Sequence, residues 1–198
     1  MTSETLADRG IASVAMVALA PLMALIGAAV KVSSPGPVIY SQVRVGQGGR
    51  PFHIYKFRTM VDGADRLAAN VSPDGDPRVT RIGRVLRACY LDELPQLVNI
   101  IRGEMRLVGP RPETPEYVAL YDATERRVLE VKPGLVGPST LGFMDEAQRL
   151  ATVPDPEAYY QDVLLHERVR LDLAYLEDRS LMGDLRILLR QAAAILRR

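Results

Sequence analysis

An apolar run near the N-terminus constrains this chain more than any other feature. Residues 10–30 contain no charged side chain, and Arg9 and Lys31 bracket them. As a helix, a run of this length measures about 30 Å, which matches the hydrocarbon thickness of a bilayer. The run therefore predicts a helix that is inserted in a membrane.

Two other interpretations of the same run are less favoured. A secretory signal peptide needs a basic leader, whereas Glu4 and Asp8 precede the run. Residues 18–20 resemble a cleavage box, but Pro21 would follow the cut and the apolar stretch continues beyond it. A buried helix of a soluble domain is compatible with the many alanines and glycines. The membrane segment remains the favoured prediction.

Pro21 lies near the middle of the run and predicts a break or kink there, because it removes one backbone hydrogen bond of the helix. The kink allows either a bent span or a re-entrant helix that returns to the same membrane face. Cationic flanks prefer the cytoplasmic side, which favours the re-entrant form. We therefore predict a membrane-inserted segment at residues 1–32 and one further domain at residues 33–198, on the cytoplasmic face of the membrane.

Composition narrows the chemistry. The formal net charge is +1, which argues against nucleic acid as a partner, since non-specific binding to its phosphates needs a clear positive excess. Cys89 is the single cysteine, so an internal disulfide and a multi-cysteine zinc site are excluded. With His53 and His166 as the only histidines, a His/Cys metal site is disfavoured, whereas an oxygen-liganded ion such as Mg²⁺ remains open.

The predicted fold is α+β and dominated by helices. Strands are expected at residues 38–45 and 52–58, joined by a glycine-rich turn at residues 46–50. That turn lacks the spacing of a phosphate-binding loop and no helix follows it directly. Further helices are predicted at residues 62–70, 78–89 and 115–131.

Turn-forming and helix-capping residues indicate the structure of three further segments. Asp74 and Asp76 form a D-x-D pair, a pattern that also occurs as a metal-binding motif, but the two flanking prolines and the central glycine favour a turn. Residues 155–157 have the cap, proline and acid of a helix start. Residues 185–198 predict a basic amphipathic helix. It is compatible both with lying on an anionic membrane surface and with packing on the domain.

The first candidates for chemistry are Asp92 and Glu93, at the start of a predicted helix that has Pro95 in its first turn and Gly103 as its stop. Asp92 is the expected N-cap, and an acid is a common residue at the start of a helix. The alternative is a nucleophile or a metal ligand whose ionised form the helix dipole favours.

Cations in rigid segments strengthen the chemical interpretation. Lys56 and Arg58 end the second strand, Arg111 lies in a proline-clamped loop, and Lys132 precedes a Pro-Gly turn. Singly, each is expected to form a surface salt bridge. Together they suit a diphosphate, whose charge must be neutralised before a carboxylate approaches it. The set therefore predicts a phosphoryl-transfer site.

Six motifs in one order carry a resemblance to a known family. They are Ser34-Pro35-Gly36-Pro37, Tyr55-Lys56-Phe57-Arg58-Thr59-Met60, Thr80-Arg81-Ile82-Gly83, Leu91-Asp92-Glu93-Leu94-Pro95-Gln96-Leu97, Val108-Gly109-Pro110-Arg111-Pro112 and Lys132-Pro133-Gly134. The chain resembles the bacterial sugar transferase family, the small monotopic phosphoglycosyl transferases that begin glycoconjugate assembly on undecaprenyl phosphate. The resemblance runs from about residue 8 to the C-terminus, and the chain is similar to the minimal form of the family.

The resemblance implies a two-step, Mg²⁺-dependent reaction. Asp92 would attack the sugar-bearing phosphorus of a UDP-sugar, and polyprenol phosphate would then take the phosphosugar from it. Glu93 would support Mg²⁺ binding or proton transfer, with Asp92 and Glu93 as the metal ligands. Arg111 matches the family's phosphate-binding arginine, while Lys56 and Arg58 match a motif near the site. The implied partners are the UDP-sugar, undecaprenyl phosphate and membrane lipids. The resemblance also implies that residues 33–198 form the catalytic domain and that the protein lies at the bacterial inner membrane.

The sequence departs from the family pattern at two places. Ala20 precedes Pro21 where the family has serine in its re-entrant helix, and residues 136–141 replace a Trp-containing stretch of many relatives. The second change bears on the sugar or uridine pocket, and the prediction names neither the sugar nor the oligomeric state. The rival functions are a membrane-bound nucleotide-sugar pyrophosphatase and an inactive scaffold of a glycan-assembly complex.

Overall fold

The computed structural model describes residues 3–64 and 71–197. The fold is α+β and dominated by helices, as predicted. Its helices are α1 (Ser3–Ser33), α2 (Arg81–Ala88), α3 (Leu97–Arg102), α4 (Pro115–Ala119), α5 (Pro138–Gly142), α6 (Glu146–Ala151), α7 (Pro156–Tyr159), α8 (Leu165–Glu177) and α9 (Leu181–Leu196). Its strands are β1 (Ile39–Val45), β2 (Pro51–Phe57), β3 (Arg106–Val108) and β4 (Gly134–Val136).

The predicted hairpin is confirmed. Strands β1 and β2 pair antiparallel, in a register that sets Ile39 opposite Phe57 and Val45 opposite Pro51. A short 3₁₀ turn joins them, and Gly48 adopts a φ of 69° there, which a residue without Cβ reaches at little cost. The glycines therefore serve the turn, as the sequence indicated.

A second, parallel pair was not predicted. Strands β3 and β4 align Arg106 with Gly134 and Val108 with Val136. Each strand has three residues, too few for an alternating pattern to stand out in the sequence. A Cβ at Gly134 would overlap the backbone of Gly109, so glycine is what lets the two segments meet here.

Helix α1 packs one side against the domain along most of its length. Ala12 contacts the core around Ile54 and Ile100, and Val30 contacts Phe57. At the N-terminal end the carboxylate of Asp8 pairs with Arg106 at 2.9 Å. Both ends of α1 therefore contact the same domain. The opposite side exposes Leu6, Ile11, Val14, Val17, Leu22, Leu25 and Val32.

Pro21 lies inside α1, and the structure shows one helix on both sides of it rather than two separated helices. A proline removes a single hydrogen bond, and the packing of Leu19 and Met23 on the domain supports the helix before and after it. Residues 5–33 form a helix that is long and apolar enough to cross a membrane.

Two turns shorten the predicted helix at residues 78–89. Helix α2 begins at Arg81, because the hydroxyl of Thr80 accepts the N–H of Gly83 at 2.9 Å and caps the helix. Arg78 instead pairs with the buried Asp76 at 2.7 Å. Gly75 has a φ of 79°, so the D-x-D segment is the turn that its prolines indicated.

The predicted helix at residues 115–131 is wrong as one element. The chain forms α4 and then a 3₁₀ helix at Glu125–Glu130. Asp122 accepts the N–H of Glu125 at 2.8 Å, and Glu125 accepts the N–H of Asp122 at 3.0 Å. These reciprocal bonds start a new turn, which local periodicity does not reveal.

The C-terminal part is helical. Asp155 caps α7 as predicted, by accepting the N–H of Ala158 at 3.0 Å, and α7 continues through a π-helical segment into α8. Helix α9 starts four residues earlier than expected because Ser180 caps it. The predicted helix at residues 62–70 falls mainly on residues 65–70, outside the described residues.

Candidate active site

The acidic pair lies in a 3₁₀ helix, Leu91–Gln96, that links α2 to α3. The expected N-cap role of Asp92 is wrong. Tyr90 occupies the N-cap position with a left-handed φ of 55°, and its carbonyl accepts the N–H of Glu93 at 3.3 Å. The left-handed N-cap residue lies two positions before Asp92, and the helix begins at Leu91. The carboxylate of Asp92 is therefore not used as a cap.

Asp92 is buried, with 8% of its surface exposed. Burial raises the pKa of this carboxyl, while the charges of Lys56 and Arg87 partly oppose the rise. Within residues 3–64 and 71–197, Asp92 makes no ion pair. A buried, unpaired carboxylate with a raised pKa is more basic than an exposed one and is free to react.

Glu93, unlike Asp92, is paired with two cations. Its Oε1 accepts a hydrogen bond from Lys56 Nζ at 2.7 Å and one from Arg111 Nη2 at 3.2 Å. Burial alone would raise its pKa, but the charges and hydrogen bonds of Lys56 and Arg111 outweigh burial and hold the pKa at about 2. Glu93 therefore stays ionised and gathers two cations beside Asp92.

Lys56 reaches the dyad from strand β2. Burial lowers the pKa of its ammonium, and Glu93 opposes that shift. The strand is joined to α3 by Asn99, which is fully buried. Its Nδ2 donates to the carbonyl of His53 at 2.6 Å, and its Oδ1 accepts the N–H of Tyr55 at 3.3 Å. Asn99 thus holds the strand that delivers Lys56 against the helix that follows the dyad.

Arg111 reaches Glu93 from a loop between β3 and α4. The loop backbone pairs with the β4 segment, since Gly109 donates to Val136 at 3.0 Å and Gly134 donates to Pro110 at 2.8 Å. The charge of Glu93 raises the pKa of Arg111, which keeps the guanidinium protonated. Prolines on either side stiffen the loop, as the sequence indicated.

Arg58 does not reach the dyad. Its guanidinium is buried and donates to carbonyls at the C-terminal end of α1, those of Val30 at 3.4 Å, Ser34 at 2.8 Å and Pro35. The four last carbonyls of a helix lack partners within it, and Arg58 satisfies one of them together with two in the turn that follows. Arg58 therefore anchors α1 to strand β2.

Lys132 also lies apart from the dyad. Its Nζ is 3.8 Å from the position that a Cβ would take at Gly103, the C-cap of α3. The dyad precedes the other end of that helix. Of the four cations singled out in the sequence, the structure places Lys56 and Arg111 on Glu93, and Arg58 and Lys132 elsewhere.

Sequence reasoning missed one cation near Asp92. Arg87, in the last turn of α2, lowers the pKa of Asp92 by its charge, and it donates to Thr59 at 2.9 Å and Ser72 at 2.8 Å. It lies within the helix predicted at residues 78–89 and was not singled out from the sequence. Its place five residues before Asp92 is the signal that could have singled it out.

The donor set suits Mg²⁺ bound together with a substrate. Mg²⁺ is usually held by one or two carboxylates, with water and substrate phosphates completing six ligands. Asp92 and Glu93 supply two carboxylates. The described part of the chain contains no cluster of three or more acidic, histidine or cysteine side chains that would form a complete protein cage. The residues present thus fit an ion that arrives with a diphosphate.

The structure therefore combines an apolar helix with a small α+β domain on which that helix packs. The domain contains a buried acidic pair whose second member is held by cations. The chain belongs to the bacterial sugar transferase family, whose model matches residues 1–198. Membrane association fits both the family and the apolar face of α1.

Curated relatives agree with this assignment. The chain is 41% identical to the UDP-glucose:undecaprenyl-phosphate glucose-1-phosphate transferase of Caulobacter vibrioides, over 89% of this chain and 63% of that protein. It is 38% identical to the exopolysaccharide production protein ExoY of Rhizobium meliloti, over 93% of this chain and 81% of that protein.

A third relative differs in its named sugar. The UDP-N-acetylgalactosamine-undecaprenyl-phosphate N-acetylgalactosaminephosphotransferase of Aeromonas hydrophila is 46% identical over 111 residues, which are 56% of this chain and 26% of that protein. The chain spans between 32% and 63% of the length of three relatives named for glucose phosphate transfer.

Proposed function

We propose that the protein is a phosphoglycosyl transferase that moves a hexose 1-phosphate from a UDP-sugar to undecaprenyl phosphate, the first membrane step of a polysaccharide or other glycoconjugate. The observation that carries the proposal is the difference between the two acids. Glu93 is held by Lys56 and Arg111, whereas Asp92 is buried, more basic than usual and unpaired among the described residues.

In the first step a carboxylate oxygen of Asp92 attacks the sugar-bearing phosphorus of the donor. The bond from that phosphorus to the bridging oxygen breaks, UMP leaves with the electron pair, and an aspartyl phosphosugar forms. In the second step a phosphate oxygen of the lipid attacks the same phosphorus. The bond to Asp92 breaks, which restores the carboxylate and yields polyprenyl diphosphate sugar.

Lys56 and Arg111 would stabilise the negative charge that this reaction brings together. The donor carries a diphosphate, and a negative carboxylate must approach it. Cations held beside Glu93 make the local electrostatic potential more positive, which would stabilise the negative phosphate oxygens of a bound donor. Asp92 and Glu93 are the proposed ligands of Mg²⁺, which would neutralise diphosphate charge when it is bound.

A hexose is the proposed class of sugar. Three relatives named for glucose phosphate transfer make UDP-glucose the first donor to test. The relative named for N-acetylgalactosamine makes UDP-N-acetylgalactosamine the second. Each name describes that protein alone, so both donors belong in one assay.

The proposed membrane arrangement is re-entrant and at the cytoplasmic face. Asp8 and Val30, near the two ends of α1, both contact the same domain. A helix that crossed the bilayer would carry one end away from the domain. In this arrangement the exposed apolar side of α1 would lie among the lipid chains, which would place the acceptor near the dyad.

Helix α9 extends this surface. Leu185 and Leu189 are exposed one turn apart, and Arg186 and Arg190 are exposed beside them, whereas Leu188 is half-buried against the domain. An apolar stripe flanked by arginines suits an anionic membrane surface. We therefore propose that α9 both packs on the domain and touches the membrane.

The test is release of UMP by protein in nanodiscs supplied with Mg²⁺, undecaprenyl phosphate and a panel of UDP-sugars. We expect lipid-linked product with one donor, and loss of turnover after chelation of the metal. UMP and free sugar phosphate without lipid product would replace the proposal with a pyrophosphatase. No UMP from any donor would favour the inactive scaffold.

A further inference from the structure

We propose that Asp172 and Arg44 are positioning residues that fix Arg111 through its backbone, and thereby place its guanidinium at the dyad. The inference deepens the proposed function and rests on it for the role of Arg111. Neither residue contacts Asp92 or Glu93 in the described part of the chain, so each acts through the loop.

Asp172 receives three donors from two segments. Its Oδ2 accepts the backbone N–H of Arg111 at 3.0 Å and the hydroxyl of Ser139 at 2.8 Å, and its Oδ1 accepts the N–H of Ser139 at 3.1 Å. Asp172 and Ser139 are 3% and 0% exposed. Helix α8 therefore holds the Arg111 loop against the start of α5.

Two carboxylate oxygens are needed for these bonds. An asparagine of the same shape offers one acceptor oxygen and replaces the other with an NH₂ group that would face a donor. Burial raises the pKa of Asp172 to about 6 although three donors oppose the rise. A buried acid is unfavourable at this place, but an amide would not replace it because an amide lacks the second acceptor oxygen.

Arg44 holds the other side of the loop. Its Nη1 donates to the carbonyl of Pro112 at 3.2 Å and to the carboxylate of Glu113 at 2.9 Å. Next to it in β1, the N–H of Val45 donates to the carbonyl of Glu113 at 2.9 Å. The backbone N–H of Arg111 and the carbonyl of the next residue are thus held by different elements.

The catalytic reason for such a clamp is geometric. Arg111 Nη2 lies 3.2 Å from Glu93 Oε1, and 25% of the Arg111 side chain is exposed. Holding a long side chain in one place costs conformational entropy, and this cost is smaller when the backbone of its loop is already fixed. Misplacing a charge-stabilising group by about 1 Å can lower a rate about 100-fold.

A double-mutant cycle on UMP release tests the inference. We expect Asp172→Asn to lower kcat/KM by about 10- to 100-fold in the native sequence, but by less than about twofold when Arg111→Met is already present. Equal losses in both backgrounds would overturn the inference. Asp178→Asn, an exposed aspartate at the end of the same helix, is the matched control and should leave kcat/KM unchanged.

Hydrogen exchange tests the clamp without any need for activity. The peptide that covers residues 109–113 should exchange faster in Asp172→Asn and in Arg44→Lys than in the native protein or Asp178→Asn. Unchanged exchange in both variants would overturn the clamp even if UMP release were established. Conversely, faster exchange in a protein that releases no UMP would support the clamp while the proposed function failed. If Asp172→Asn does not fold, Ser139→Ala, which removes one donor, replaces it in both measurements.

Discussion

Lys56 Nζ lies 2.7 Å from Glu93 Oε1, and these side chains are 17% and 10% exposed. The pair joins the hairpin to the 3₁₀ helix of the dyad. Because Arg111 shares the same oxygen, the two cations hold the pKa of Glu93 at about 2, and its carboxylate is ionised at neutral pH. The two acids of the dyad therefore have different roles. Glu93 binds the cations, and Asp92 is the acid that is proposed to react.

Removing Lys56 should destabilise the fold. In Lys56→Met the buried Glu93 keeps only Arg111, and breaking a buried pair on one side costs about 3–5 kcal/mol, less here because Arg111 remains. The free energy of unfolding in detergent is the measurement. Lys132→Met, which removes a half-buried lysine away from the dyad, should change it by less than about 0.5 kcal/mol. Equal effects of the two variants would contradict the account.

The charge of Arg87 should set the acid limb of the pH profile. Asp92 must be ionised to attack, and Arg87 lowers the pKa that burial raises. In Arg87→Met that pKa rises further, so kcat/KM for UMP release should begin to fall at a higher pH than in the native protein. Glu93, with a pKa of about 2, does not titrate in this range.

The control for this pH profile is Arg84→Met, on the exposed side of the same helix. Its profile should follow that of the native protein. An acid limb that stays in place or moves to lower pH in Arg87→Met would contradict the assignment of Asp92 as the ionising nucleophile.

Arg58 should matter for stability and not for binding of the donor. Arg58→Met leaves the carbonyls of Ser34 and Pro35 without their buried donor, a loss on the order of 3 kcal/mol in the free energy of unfolding. The KM for the UDP-sugar, measured on folded protein, should not change. Arg50→Met, at the exposed hairpin turn, is the control. A large rise in KM without loss of stability would return Arg58 to the substrate site.

The position of the N-terminus tests the re-entrant arrangement. In a Cys89→Ser background, a cysteine placed at Thr2 should react with an impermeant reagent only from the cytoplasmic side, because both ends of α1 contact one domain. A cysteine placed at Asp178 marks the side of the catalytic domain. Labelling of the two from opposite sides of the membrane would show a spanning helix.

Local signals predicted the parts of the fold that local interactions determine. The hairpin follows from its strands and glycines, and the cap of α7 follows from Asp155. The pairing of β3 with β4 depends on contacts between segments 28 residues apart, and no pattern in three residues announces it. The interruption after α4 depends on the side chains of Asp122 and Glu125, which compete with helical hydrogen bonds.

The candidate site shows the same division. The sequence indicated Asp92, Glu93, Lys56 and Arg111 because the motifs place them in rigid segments. It gave no means to separate Arg58 from Lys56, two residues apart, although one serves α1 and the other the dyad. The role of Asp172 was also invisible, because a lone aspartate inside a helical stretch acquires its three donors only from the tertiary fold.

The most direct test of the central claim is trapping the covalent intermediate. Protein incubated with Mg²⁺ and a UDP-sugar labelled in the sugar, without lipid acceptor, should gain one labelled phosphosugar on Asp92, detected by mass spectrometry of the peptide. Asp92→Asn should gain none and release no UMP, whereas Asp74→Asn, an exposed aspartate in a turn, should behave as the native protein. Label or turnover that survives in Asp92→Asn would contradict the account.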